Sequence, residues 1–120
     1  MPFRFLKFPV YQDIKEYIGA LYAVSAKFPK DEQFGLTSQL RRAATSIALN
    51  IAEGSDRGSD SEFSRFIQMA IGSLNETVAV LDLASECGFM DKSNYDIMIG
   101  NAELIVKQLS GLRKTLRSDQ

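Results

Sequence analysis

Between Leu36 and Gly88, apolar and small residues recur at alternating spacings of four and three. Leu36, Leu40, Ala43, Ile47, Asn50 and Gly54 form one series. Phe63, Ile67, Ala70, Leu74, Thr77, Leu81, Ala84 and Gly88 form the next. Each series is a heptad seam, and only the polar run SDRGSD separates the two. The pattern predicts two long helices folded against each other, antiparallel, with left-handed coiled-coil-like crossing.

The same seam recurs on both sides. Ile14, Tyr17, Leu21, Val24 and Phe28 carry it upstream; Tyr95, Met98, Ala102, Ile105, Leu109, Leu112 and Leu116 carry it downstream. Helices are predicted over about 10–27, 37–54, 60–87 and 92–116, with short connections. The expectation is an all-α protein, an antiparallel up-down-up-down four-helix bundle occupying residues 1–120 as one domain.

Boundary residues sharpen these ranges. Pro29 disfavours helix at Phe28 and stops the first. Thr37 or Ser38 can cap the second, and Gly54 suits the position after it, where φ turns positive. Ser59 and Glu62 have the spacing of a capping box before the third. Gly88 ends that helix and Asp91 can cap the fourth. Ser118, Asp119 and Gln120 read as a frayed end. Phe3, Phe5, Leu6 and Phe8 admit three readings: a segment packed across the bundle, a short edge strand, or an arm docked on a neighbouring subunit.

The third helix is apolar beyond its seam, at Phe66, Met69, Ile71, Val78, Val80 and Leu83. A helix apolar over most of its circumference is central, or is buried a second time by another chain. That predicts a homo-oligomer. Asn50 falls on a seam, where its amide needs partners and can fix register.

Composition narrows the chemistry. The chain is 45% hydrophobic and 24% charged, ordinary for a soluble globular protein. There are 0 His, which removes the commonest general base and metal ligand. The single Cys87 permits no intrachain disulfide, fits a reducing cytoplasm, and reads as a buried, inert thiol. No phosphate-binding loop or nucleophile elbow is present. Glu53, Glu62, Glu76 and Asp82 lack the Glu-x-x-His of a di-iron bundle. The expectation is a protein without catalytic residues, metal or cofactor. The N-terminus has no cleavable apolar core, and no apolar run suffices to cross a membrane.

A net charge of −1 exerts no global pull on nucleic acid, so binding would require basic residues gathered on one face. Arg41, Arg42, Arg57 and Arg65 are the first candidates, with Arg113, Lys114 and Arg117 second. A competing use is internal pairing. If the hairpin folds about Arg57, Arg42 can reach Glu76, and Arg65 can reach Glu53 or the Asn50 amide. Arg41 points about 100° from Arg42, so one of the two stays free. A patch of two or three charges binds phosphate weakly, but repetition around an oligomer makes the contacts multivalent.

The stretch LTSQLRRAATSIALNIAEG, followed by Glu62-Phe63, Arg65-Phe66, Ala70-Ile71-Gly72-Ser73 and Glu76, resembles a bacterial family. These are the four-helix bundle proteins encoded by intervening sequences of 23S ribosomal RNA, also called the S23 ribosomal protein family. The family includes the accessory protein of diversity-generating retroelements. The resemblance implies a four-helix bundle protomer, with homopentamers known among members. For the retroelement branch it implies binding to a reverse transcriptase and nucleic acid through a basic surface. Together these observations point to an oligomeric bundle that binds structured RNA or a ribonucleoprotein. The alternative is a protein–protein adaptor or assembly scaffold. Asn50, Glu53, Gly54 and Glu76 read as structural members of the motif.

Overall fold

Four helices run α1 (Pro9–Ser25), α2 (Leu36–Gly54), α3 (Asp60–Glu86) and α4 (Lys92–Arg117), with 3-10 turns at Arg4–Lys7 and Lys30–Glu32. The computed structural model describes residues 2–117 apart from the side chain of Arg117. The end expected to fray, 118–120, lies outside the described residues.

The helices pack in cyclic order, each against its two neighbours, with α2 and α3 in the most extensive contact. Cross-links fix the directions. Ser25 meets Arg41, Ser46 meets Ser73, Tyr95 meets Asp82, and Gln108 meets Asp13. Every adjacent pair is therefore antiparallel, in an elongated bundle of 46 × 22 × 20 Å.

The seams supply most of the core, with Ile51 of α2 added beside them. Ile14, Leu21, Leu40, Ile47, Ile51, Ile67, Leu74, Leu81 and Leu109 are fully enclosed. Each such side chain contributes roughly 1.5–3 kcal/mol by leaving water. On α2 a second row, Thr37, Ala44 and Ala48, is buried beside the expected one, so this helix is covered over a wider arc. Every buried side-chain nitrogen and oxygen among the described residues has a hydrogen-bond partner.

Several boundaries differ from the sequence expectation. α1 stops at Ser25, two residues early. α2 starts at Leu36 with Gly35 in the capping position; the Glu32 carboxylate, not Thr37 or Ser38, accepts from the Leu36 N–H at 3.0 Å. Thr37 is instead buried in the helix. Gly54 is helical, not left-handed. Its lack of a side chain lets α3 approach: a Cβ there would collide with the Cβ of Phe66 and lie 3.1 Å from the Phe63 ring. The positive φ falls at Gly88, 78°, where the Gly88 and Phe89 N–H groups bond back to Ser85 and Ala84. That is a Schellman ending. Ser59 caps α3 as expected, accepting from Glu62 N–H at 3.1 Å.

Candidate nucleic-acid interface

The first turn of α3 collects arginines from all parts of the chain. Its start is fixed by the Ser59 cap, and its close approach to α2 by Gly54. Arg57, in the loop, lies over the Phe66 ring at 4.7 Å; Arg65, one residue before Phe66, lies over it at 4.9 Å. Arg4 lies 5.4 Å from the Phe63 ring and donates its Nε–H to the Ser55 carbonyl at 3.0 Å. Arg113, near the end of α4, donates to Ser64 Oγ at 3.3 Å. The antiparallel topology is what brings them together: the start of α1, the end of α2, the start of α3 and the end of α4 share one end of the bundle.

Carboxylates orient two of these cations. Arg57 pairs with Glu53, and Arg65 with Glu62 at 3.2 Å. Arg65 thus takes Glu62, one turn behind it, rather than Glu53 or Asn50; spacing of three on one helix face makes the nearer partner the easier one. Its hydrogen bond and charge hold the Glu62 carboxyl below the usual range, and Glu62 raises Arg65 in return. Both pairs are largely exposed and contribute little to stability. Their consequence is placement. Each guanidinium is held between an aromatic face and a carboxylate, and Arg65 also donates to the Met69 sulfur at 3.8 Å. Lys114 is exposed at the same end, and the α4 backbone brings Arg117 there; its side chain lies outside the described residues.

Arg41 and Arg42 stand at the opposite end. Arg41 bridges α2 to α1, donating to Ser25 Oγ at 2.9 Å and the Tyr22 carbonyl at 3.3 Å, with its guanidinium 4.5 Å from the Tyr22 ring. Arg42 is exposed and makes no ion pair with Glu76; the two line one shallow groove with Gln39 and Ser46. Of the adjacent arginines, Arg42 is therefore the free one. Nearby, Ser46 bonds Ser73 across the helices at 2.9 Å, and Asn50 satisfies its amide within α2, on the Ser46 carbonyl and hydroxyl. Asn50 is half-buried and makes no link to α3.

Cys87 is exposed, because α3 ends there and its seam side chains stop at Ala84. Of the extra apolar residues on α3, Phe66 and Val80 are buried within the protomer and Ile71 and Val78 half-buried, while Met69 and Leu83 face solvent. The residues before α1 form a 3-10 turn, with Phe8 stacked on Phe63 at 6.2 Å. Arg4 is the site residue that sequence reasoning missed. Its signal was a lone arginine between Phe3 and Phe5, an aromatic setting that favours stacking. Among the described residues, no helix is long and apolar enough to cross a membrane, and no group of three or more Cys, Asp or Glu is placed to hold a metal.

Comparison with known proteins agrees with this architecture. A crystal structure of a protein of unknown function from the S23 ribosomal protein family of Bacteroides thetaiotaomicron is 25% identical, with a TM-score of 0.76, covering 88% of this chain and 98% of that one. No match was found among curated proteins. A family model for the 23S rRNA-intervening sequence protein matches residues 7–111. With nearly the whole bundle inside that match, the chain belongs to the 23S rRNA-intervening sequence protein family.

Proposed function

We propose that this chain is a non-enzymatic, self-associating bundle that binds structured RNA, alone or in a ribonucleoprotein, through the arginine-bearing end around Phe66. The observation that carries the reading is the convergence of Arg4, Arg57, Arg65 and Arg113 on residues 63–66. Stacking on Phe66 and pairing with Glu53 and Glu62 restrict two of these side chains before any ligand arrives. Less ordering entropy is then lost on binding phosphate. The family description names 23S rRNA, which favours RNA among the polyanions. A ribonucleoprotein such as a reverse transcriptase with its RNA would present the same backbone phosphates.

Self-association is supported by a second stripe on the outward side of α3. Met69, Gly72, Glu76, Ala79 and Leu83 are all exposed and follow the heptad spacing. Covering it with another copy, in a pentamer or other closed ring, repeats the basic end around an axis and makes weak phosphate contacts multivalent.

The test is titration of a structured RNA across a salt series, with duplex DNA alongside. Log affinity falling linearly with log salt, and a smaller slope in the Arg57→Glu/Arg65→Glu variant, is the expected result. Absence of binding at low salt sinks the reading.

A further inference from the structure

Beside the arginines lies a groove of about 930 Å³ between the N-terminal turn and the end of α2. Phe3, Arg4, Leu49, Glu53, Asp56 and Arg57 line it. Its walls are mixed in a specific way. Phe3 and Leu49 are apolar and strongly exposed, at 70% and 65%. Arg4 and Arg57 supply cations at the rim, and Glu53 and Asp56 supply acceptors.

Phe3 is held in that position. It is the one non-glycine residue with positive φ, 60°, among the described residues. Its carbonyl accepts the Leu6 N–H at 3.1 Å, opening the 3-10 turn. Arg4 ties the turn to Ser55, and Gln12 donates to the Leu6 carbonyl. The neighbouring rings are used: Phe5 stacks edge-on against Tyr11, and Phe8 on Phe63. Phe3 alone of the three has no ring partner and projects beside the cations. An unpacked aromatic in a strained backbone conformation is a mark of function more than of packing.

We infer that this groove takes an unpaired RNA base, stacked on Phe3, with its flanking phosphate at Arg57. The inference rests on the RNA-binding reading above and specifies its ligand. Charge decides the occupant. An apolar peptide would offer nothing to the polar half of the lining, whereas a nucleotide offers a π face to Phe3, a phosphate to Arg57 beside its Glu53 pair, and exocyclic amino groups to the carboxylates. The volume admits a base.

The experiment compares two hairpin RNAs of equal length, one fully paired in its stem and one carrying a bulged 2-aminopurine. Wild-type protein is expected to bind the bulged RNA more tightly and to quench its fluorescence. Phe3→Ala should weaken that binding roughly 5- to 150-fold while leaving the paired RNA unchanged, and Phe3→Tyr should restore it. Phe3 is too exposed for its loss to unfold the bundle. If the wild type binds both RNAs equally and without quenching, the base site is overturned while RNA binding stands. If it binds neither, both readings fall. If Phe3→Ala changes the sedimenting mass but not the bulge preference, the groove is a contact between copies and the inference is wrong.

Discussion

At the end around Phe66, Arg57 and Arg65 stack on one ring and pair with carboxylates on the surface; at the other end, Arg41 spends its donors on α1. Both ends use the same residue type with an aromatic partner. The difference lies in what else is within reach. Arg41 faces a neighbouring helix with a hydroxyl and a carbonyl to offer, so it becomes a brace. Arg57 and Arg65 sit on a loop and an outer face, where their partners are flexible carboxylates. The local charge differs too. At the Arg41 end Asp31, Glu32, Asp82, Glu86, Asp91 and Asp96 are nearly balanced by Lys27, Lys30, Arg41, Arg42 and Lys92, whereas at the other end Lys7, Lys114 and four arginines outnumber Glu53, Asp56, Asp60 and Glu62. An overall charge of −1 conceals a modest excess of cations at the Phe66 end. A residue pair that looks like a binding motif in sequence can be half brace and half free.

The largest effect expected from this contrast is on binding. Arg57→Glu/Arg65→Glu should lower the salt slope for structured RNA by about one unit for each phosphate no longer engaged, with affinity falling more than about tenfold at low salt. Arg42→Glu, at the far end, should leave both nearly unchanged. Equal losses from the two variants would erase the distinction between the ends.

Next comes the close approach of α2 and α3. Gly54→Ala should destabilise the protein by about 1–3 kcal/mol in a denaturant melt, because Phe66 Cβ cannot yield without moving the helix. Gly35→Ala at the opposite end should cost about 1 kcal/mol, since its Cβ would displace the Glu32 carboxylate that caps α2, a side chain rather than a helix having to move. The brace follows. Arg41→Ala should cost about 1–2 kcal/mol through loss of the Ser25 and Tyr22 bonds and of stacking on the ring. Arg42→Ala should stay within about 0.5 kcal/mol of wild type. Ser59→Ala, which uncaps α3 beneath the arginines, should cost about 1 kcal/mol.

The smallest effect is electrostatic. Arg65 holds the Glu62 carboxyl below its ordinary range, first by hydrogen bonding and then by charge. A depressed carboxyl contributes stability that is present above its unfolded value and is lost as pH falls through its folded one. An NMR titration should place the Glu62 midpoint low in wild type and return it upward in Arg65→Ala.

Much of the bundle is legible in the sequence. The seams name most core residues of the four helices, though not Ala44, Ala48 and Ile51 on α2, and Ser59 and Glu62 announce the start of α3. Gly54 stands out for the wrong reason: glycine after a helix suggests positive φ, but here it marks an approach that depends on where α3 lies. Glu32 as the cap of α2 is beyond reach, since the 3-10 turn that aims it is invisible to periodicity. Register alone pairs Arg42 with Glu76 and Arg65 with Glu53 or Asn50, and side-chain rotamers choose otherwise.

The sequence by itself determined the bundle, because heptad spacing sets which helix face is apolar and short connections force neighbours to run antiparallel. It also determined family membership, through a match that spans residues 7–111. Only the tertiary structure decided which cations lie together. Arg4 and Arg113 are far in the chain from Arg57 and Arg65, and they meet because four helix termini are stacked at one end. No spacing rule along a single helix reaches across that closure.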